Sequence, residues 1–151
     1  MSQLMATKNR SAETLALLTE SGQHAQSIVV VDAAVNNYQY LLTNRLLGID
    51  VHILDGQQDG ITQLQTLLQQ SQTLSSLHLI CQGSPGQLQL GSTLLCEMNL
   101  WVYADDIRQW RSSLSDNAEI LIYGCDLAAN RVGQAFISWL KFLTGVDVHV
   151  Y

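Results

Sequence analysis

Four strand-length runs constrain the fold most: Ser27–Asp32 (SIVVVD), 51–55 (VHILD), 77–81 (LHLIC) and 120–123 (ILIY) are apolar along almost their whole length. A strand with one wet face alternates apolar and polar residues. A strand apolar throughout is buried on both faces, the condition of parallel strands covered by helices. The segments between the runs change to helical period. Ile61, Leu64, Leu67 and Leu68 follow Asp59, a residue able to cap a helix N-terminus through its carboxylate. From Leu100, the residues Tyr103, Ile107, Trp110 and Leu114 recur at steps of three and four, predicting a helix that ends near 115–117. Val132, Ala135, Phe136, Trp139, Leu140 and Leu143 mark a last helix that Gly145 can end, leaving 147–151 as a fifth strand. The pattern therefore predicts an α/β domain with a predominantly parallel sheet covered by helices on both faces. A small hairpin after the third strand is predicted by the alternation in 87–90 and 93–95 across Gly91-Ser92.

The chain is long enough for one such domain: 151 residues, 47% hydrophobic and 13% charged, can bury a core without disulfides or a structural metal. Residues 1–26 read as a polar N-terminal extension and 27–151 as the domain. A net charge of -6, with seven basic residues scattered singly, argues against nucleic acid as a partner. No apolar run reaches the roughly 20 residues of a membrane span. Residues 1–10 lack the apolar region of a signal peptide, which points to the cytoplasm. Cys81, Cys96 and Cys125 show no zinc-like spacing and read as thiols, and the four histidines form no paired motif, so neither a metal nor a cofactor is expected.

In a sheet of this kind ligands bind outside the carboxyl ends of the strands, where loops converge. Asp32, Cys81-Gln82-Gly83 and Gly124-Cys125-Asp126 fall at such ends. Cys125, between a glycine and a helix, is a nucleophile candidate because helix N-termini favour thiolate. On pattern alone, a small inert cysteine at a strand end is the better reading. Asp32 reads as a turn former and Asp126 as the cap of the helix that follows. His78 and His52 lie inside strands and read as core histidines; the depth of His149 relative to Cys125 is open.

The segments IVVVDAAVNNYQYLL, LDGQQDGITQL, LHLICQGSPGQLQLGSTLL and ILIYGCDLAANRVGQAF resemble the bacterial domain-of-unknown-function family numbered 4347, over most of the chain from residue 28 to 148. The resemblance implies a caspase-like fold of the clan CD cysteine peptidases. It also implies a place at the N-terminal end of large, repeat-rich surface or secreted proteins, hence an extracellular location. In that family the strand before the glycine turn usually ends Ser-His-Gly, whose His resembles a general base, and the Cys of Tyr-Gly-Cys resembles a nucleophile. Here these positions read Cys81-Gln82-Gly83 and Tyr123-Gly124-Cys125. The resemblance also places the Gly83 N–H at an oxyanion position and matches Asp32 to an acidic family position, a weak substrate-contact candidate.

An amide cannot take a thiol proton near neutrality, so Gln82 leaves the base position without a base. The expectation is a non-catalytic binding or structural module with a protein or peptide partner. The alternative is a cysteine peptidase or autoprocessing domain that uses Cys125 with a different base. Because the chain stops just after its fifth strand, self-association through an exposed sheet edge is a further expectation.

Overall fold

A computed structural model describes residues 27–35, 50–71, 73–123 and 126–151. The strands β1 (Ser27–Asp32), β2 (Asp50–Leu54), β3 (Leu74–Ile80), β7 (Leu114–Tyr123) and β8 (Asp147–Val150) form one five-stranded sheet in the order β2-β1-β3-β7-β8. Every pairing in it is parallel. Three short strands, β4 (Gly83–Ser84), β5 (Gln87–Leu90) and β6 (Thr93–Cys96), make a separate antiparallel sheet inserted after β3. Helices α1 (Gly60–Gln70), α2 (Ala104–Trp110) and α3 (Arg131–Thr144) complete the described elements, with 3-10 turns at Leu100–Val102 and Arg111–Ser113.

The period of two along each strand sorts the core. Ile28, Val30, Leu54, Leu77, Leu79, Ile120, Ile122 and Val148 face α1, α2 and α3 and join Ile61, Leu64, Ile107, Trp110, Phe136 and Leu140 in the main cluster. Val29, Val31, Ile80, Leu121 and Tyr123 face the other way and form a second, smaller cluster with Val51 and Ile53. The described helices thus lie on one face; any helical cover of the second lies outside the described residues, as does the extension 1–26.

Local chemistry follows the predicted signals in α1 and at the end of α3. The Asp59 carboxylate accepts the Ile61 N–H at 2.9 Å and caps α1. Gly145 ends α3 at φ 70°, donating its N–H to the Lys141 carbonyl.

Two expectations fail. The helix from Leu100 does not reach 115–117; α2 stops at Trp110, tightens to a 3-10 turn, and Leu114 already pairs with Leu74 in β7. Arg111 holds this reversal, donating Nη1 to the Leu114 carbonyl at 2.9 Å and to the Ser115 carbonyl at 3.2 Å. Leu114 keeps the helical period because a buried residue at the start of a strand meets the same core. β7 is accordingly ten residues long, with a register shift between its Leu74 and Ser76 pairings. The cap of α3 is Asn130, whose side chain accepts the Gly133 N–H at 3.0 Å. Asp126 lies five residues before the helix, exposed, with its carbonyl taking the Ala129 N–H in a turn.

Candidate functional site

Parallel register aligns the carboxyl ends of the central strands. Val31 pairs with Ile80 and Ile80 with Tyr123, so Asp32, Gln82 and Tyr123 stand along one edge of the sheet. Cys125 and Gly124 lie outside the described residues.

Of the predicted residues at this edge, Asp32 is committed to structure. It is buried, with one carboxylate oxygen accepting the Gly91 N–H at 2.7 Å and the other the Ala34 N–H at 3.1 Å. The first bond ties the tip of the β5-β6 hairpin to the end of β1. Asp59 adds a second tie, accepting the Thr93 hydroxyl at 2.7 Å, and the Ser92 N–H reaches the Gln58 carbonyl at 2.7 Å. Burial alone would push the Asp59 carboxyl up; hydrogen bonds from Thr93, the Ile61 N–H and Thr62 outweigh it and hold the group below its ordinary range. Gly91 sits at φ 59°, and a Cβ there would meet the Gln58 carbonyl oxygen at 2.3 Å, so only glycine fits.

Gln82 follows the end of β3 with its side chain exposed, while its carbonyl accepts the Gln89 N–H at 2.9 Å. Gly83, also exposed, opens β4 opposite Leu88. The glycine turn then docks on the loop that follows Cys125. The Gly86 N–H donates to the Leu127 carbonyl at 2.9 Å, and a Cβ on Gly86 would meet Val132 at 2.7 Å. The turn bearing Gln82 and the loop bearing Asp126 and Leu127 are therefore in direct contact.

The described histidines stand back from this edge. His78 and His149 both pair with Leu121, two residues before Tyr123, and His52 pairs with Val30, two before Asp32. His78 is fully buried, as a core histidine should be. Its Nε2 bonds the Ser76 hydroxyl at 3.0 Å and its Nδ1 the Tyr123 hydroxyl at 3.1 Å; Ser76 in turn bonds Ser27 at 2.5 Å. Burial lowers the imidazole from 6.5 to about 4, so it is neutral at ordinary pH. Burial, with Tyr151 and Glu119 nearby, likewise raises the Tyr123 phenol. Tyr123 stacks between His78 (ring centroids 5.9 Å apart) and Tyr151 (5.2 Å). Sequence reasoning missed this hydroxyl-imidazole chain, although Ser76 and His78 two apart on one strand share a face and give a local signal for it. His149 is half exposed and 3.8 Å from Glu119.

Among the described residues no group of three or more His, Cys, Asp or Glu side chains is placed to hold a metal ion, and no helix is long and apolar enough to cross a membrane.

Fold and edge together define a parallel α/β domain with a hairpin-bearing carboxyl edge. The chain belongs to the family described as Domain of unknown function (DUF4347), whose model matches residues 28–150. No curated protein matches it. Among solved structures, it is similar to "The structure of BdcA (YjgI) from E. coli" at 9% identity and a TM-score of 0.44, over 83% of this chain and 82% of that one.

Proposed function

We propose that this chain is a caspase-like module that has no working cysteine-peptidase centre and serves as a binding or structural unit for a protein or peptide, in the manner of an N-terminal domain of a larger surface protein. The observation that carries the reading is the edge beside Tyr123. The position that resembles a general base is Gln82, exposed and without basicity toward a thiol near neutral pH; His52 and His78 stand two residues before the ends of their strands, and His149 is level with Leu121, two before Tyr123. His78 is further removed from base chemistry because both ring nitrogens are engaged. Asp32 is buried and each of its oxygens already accepts a backbone N–H, which favours a structural role over orienting a base or contacting a substrate. What the edge retains is a scaffold: a hairpin pinned at Gly91 and a glycine turn pinned at Leu127, which together present Gln82, Gly83 and the loop after Tyr123.

The test is alkylation of Cys125 by iodoacetamide as a function of pH, alongside cleavage of a fluorogenic peptide library. An unactivated thiol gives a rate that rises with a midpoint near ~8.5, and no Cys125-dependent cleavage. A midpoint below about pH 7, or cleavage abolished by Cys125→Ala, assigns the chain to the thiol peptidases instead.

A further inference from the structure

The outer side of α3 carries an apolar stripe that the core covers only in part, Trp139 being half-buried against it. Phe136, Leu140 and Leu143 point into the main cluster, whereas Val132, Ala135, Trp139 and Phe142 recur at steps of three and four on the helix's other flank. Trp101, from the 3-10 turn before α2, meets Trp139 edge to face at 4.8 Å, and Trp139 meets Phe142 likewise at 5.9 Å. The result is one aromatic row built from two elements. Its outer members stay in solvent: Trp101 is 52% exposed, Val102 77%, Val132 51% and Phe142 69%.

Burial in the monomer does not explain these residues, because a solvated helix flank is ordinarily polar. At about 150–250 Å² for a whole aromatic side chain and rather less for a valine, the four leave roughly 450 Å² of apolar surface open, the size of the largest patch on a typical monomer (about 300–600 Å²), which is often functional. Paired with itself the patch removes about 900 Å² from water before its polar rim is counted, which brings it within reach of the ~1,200 Å² of a stable interface.

The charges on either side suit a second copy. On the α3 side stand Arg131 and Lys141, exposed and without an ion pair among the described residues. On the side of the 3-10 turn and α2 stand Glu97, Asp105 and Asp106, of which Asp105 is paired with Arg108. A two-fold axis through the Trp101–Trp139 contact lays the basic flank of one copy over the acidic flank of the other, twice. We propose that the Trp101–Trp139–Phe142 face is an isologous homodimer interface of this chain.

The experiment is sedimentation of the full chain across the micromolar range. Expected is a concentration-dependent shift from 16.7 kDa to twice that mass. Phe142→Asp, at an exposed position, should weaken dimerisation at least tenfold with an unchanged circular dichroism spectrum. Charge reversal supplies the second arm. Arg131→Glu with Lys141→Glu, and separately Glu97→Lys with Asp106→Lys, should each weaken the homodimer, whereas an equimolar mixture of the two variants should associate again, because both flank pairings become attractive in the mixed dimer. A single 16.7 kDa species up to the high micromolar range overturns the proposal. So does a dimer indifferent to Phe142→Asp, which would assign self-association to another surface such as the β8 edge. A monomer that instead partitions onto phosphatidylcholine vesicles overturns it in favour of a lipid surface.

Discussion

His78 makes this fold acid-sensitive in a way that can be worked from the structure. The imidazole is fully buried on the second face of the sheet, held neutral by burial with its folded-state value near 4 against 6.5 in the unfolded chain. Between those two values the unfolded chain binds a proton that the folded chain refuses. Stability is therefore complete above about pH 6.5 and falls as pH drops towards 4, with one proton per molecule as the limiting slope. At 1.36 kcal/mol per unit, the loss reaches about 3 kcal/mol. A single-domain chain of ordinary stability, about 5–15 kcal/mol, would feel that as a large fraction of the total. The assay is urea unfolding at pH 7.5, 6.5, 5.5 and 4.5 for the native chain and for His78→Leu. At pH 7.5 the variant should be less stable by about 1–3 kcal/mol, since the Ser76 and Tyr123 hydroxyls lose a buried partner. By pH 4.5 the native chain should have lost that advantage, and the difference should vanish or change sign. Asp59, held low by its hydrogen bonds, titrates only below its ordinary 3.8 and stays outside this window. A gap between native and variant that is constant from pH 7.5 to 4.5 would refute the assignment of the linkage to His78.

Other substitutions probe the edge. Asp32→Ala should cost about 1–3 kcal/mol in urea unfolding, because it strands the buried Gly91 N–H. Gly91→Ala should cost at least as much, combining positive φ with a Cβ driven into the Gln58 carbonyl; if its unfolding midpoint matches the native chain, the hairpin tip is not seated as described. Asp59→Ala removes the α1 cap and the Thr93 tie together, a loss of about 1–2 kcal/mol that Asp59→Asn should largely recover at neutral pH. Gln82→His should shift the pH midpoint of Cys125 alkylation downward by bringing an imidazolium to the loop, with little or no peptide cleavage; an unchanged profile in a folded variant would mean that residues 82 and 125 are not neighbours.

The architecture was readable where one residue's neighbours are its own sequence neighbours. The runs in β1, β3 and β7 are apolar at both odd and even positions because both faces of the sheet are buried, and that doubling is visible without knowing the order of the strands. Caps at Asp59 and Gly145 were readable for the same reason. Where two local signals competed, reading failed: Leu114 fits a helical step and a strand start equally, and only its pairing with Leu74, forty residues away, decides between them. Asp126 and Asn130 are both good capping residues, and the turn closed by the Ala129 N–H postpones the helix to Asn130. The candidate edge was legible as a place and not as chemistry. Asp32 looks available in sequence, but its partner Gly91 is 59 residues distant, and nothing in the SIVVVD run signals that both oxygens are taken. The aromatic flank of α3 was hidden because Trp139 falls among the core positions of the same helical period.

The hydroxyl-imidazole chain inside the sheet has no built-in direction. Ser27, Ser76 and Tyr123 each offer a hydroxyl that donates or accepts, and neutral His78 carries its proton on either nitrogen. With the proton on Nε2, the bonds run from Tyr123 through His78 and Ser76 to Ser27; with it on Nδ1, every bond reverses, and the same four groups remain bonded. The two arrangements keep one proton on each hydroxyl and carry no net charge; they differ in which ring nitrogen is protonated and in the rotation of the three hydroxyls, so burial does not favour one over the other as it disfavours ionisation. The interior of this sheet therefore holds a polar element that can invert its dipole without moving a heavy atom, and the 15N shifts of the His78 ring should report an average of the two tautomers, not either one alone.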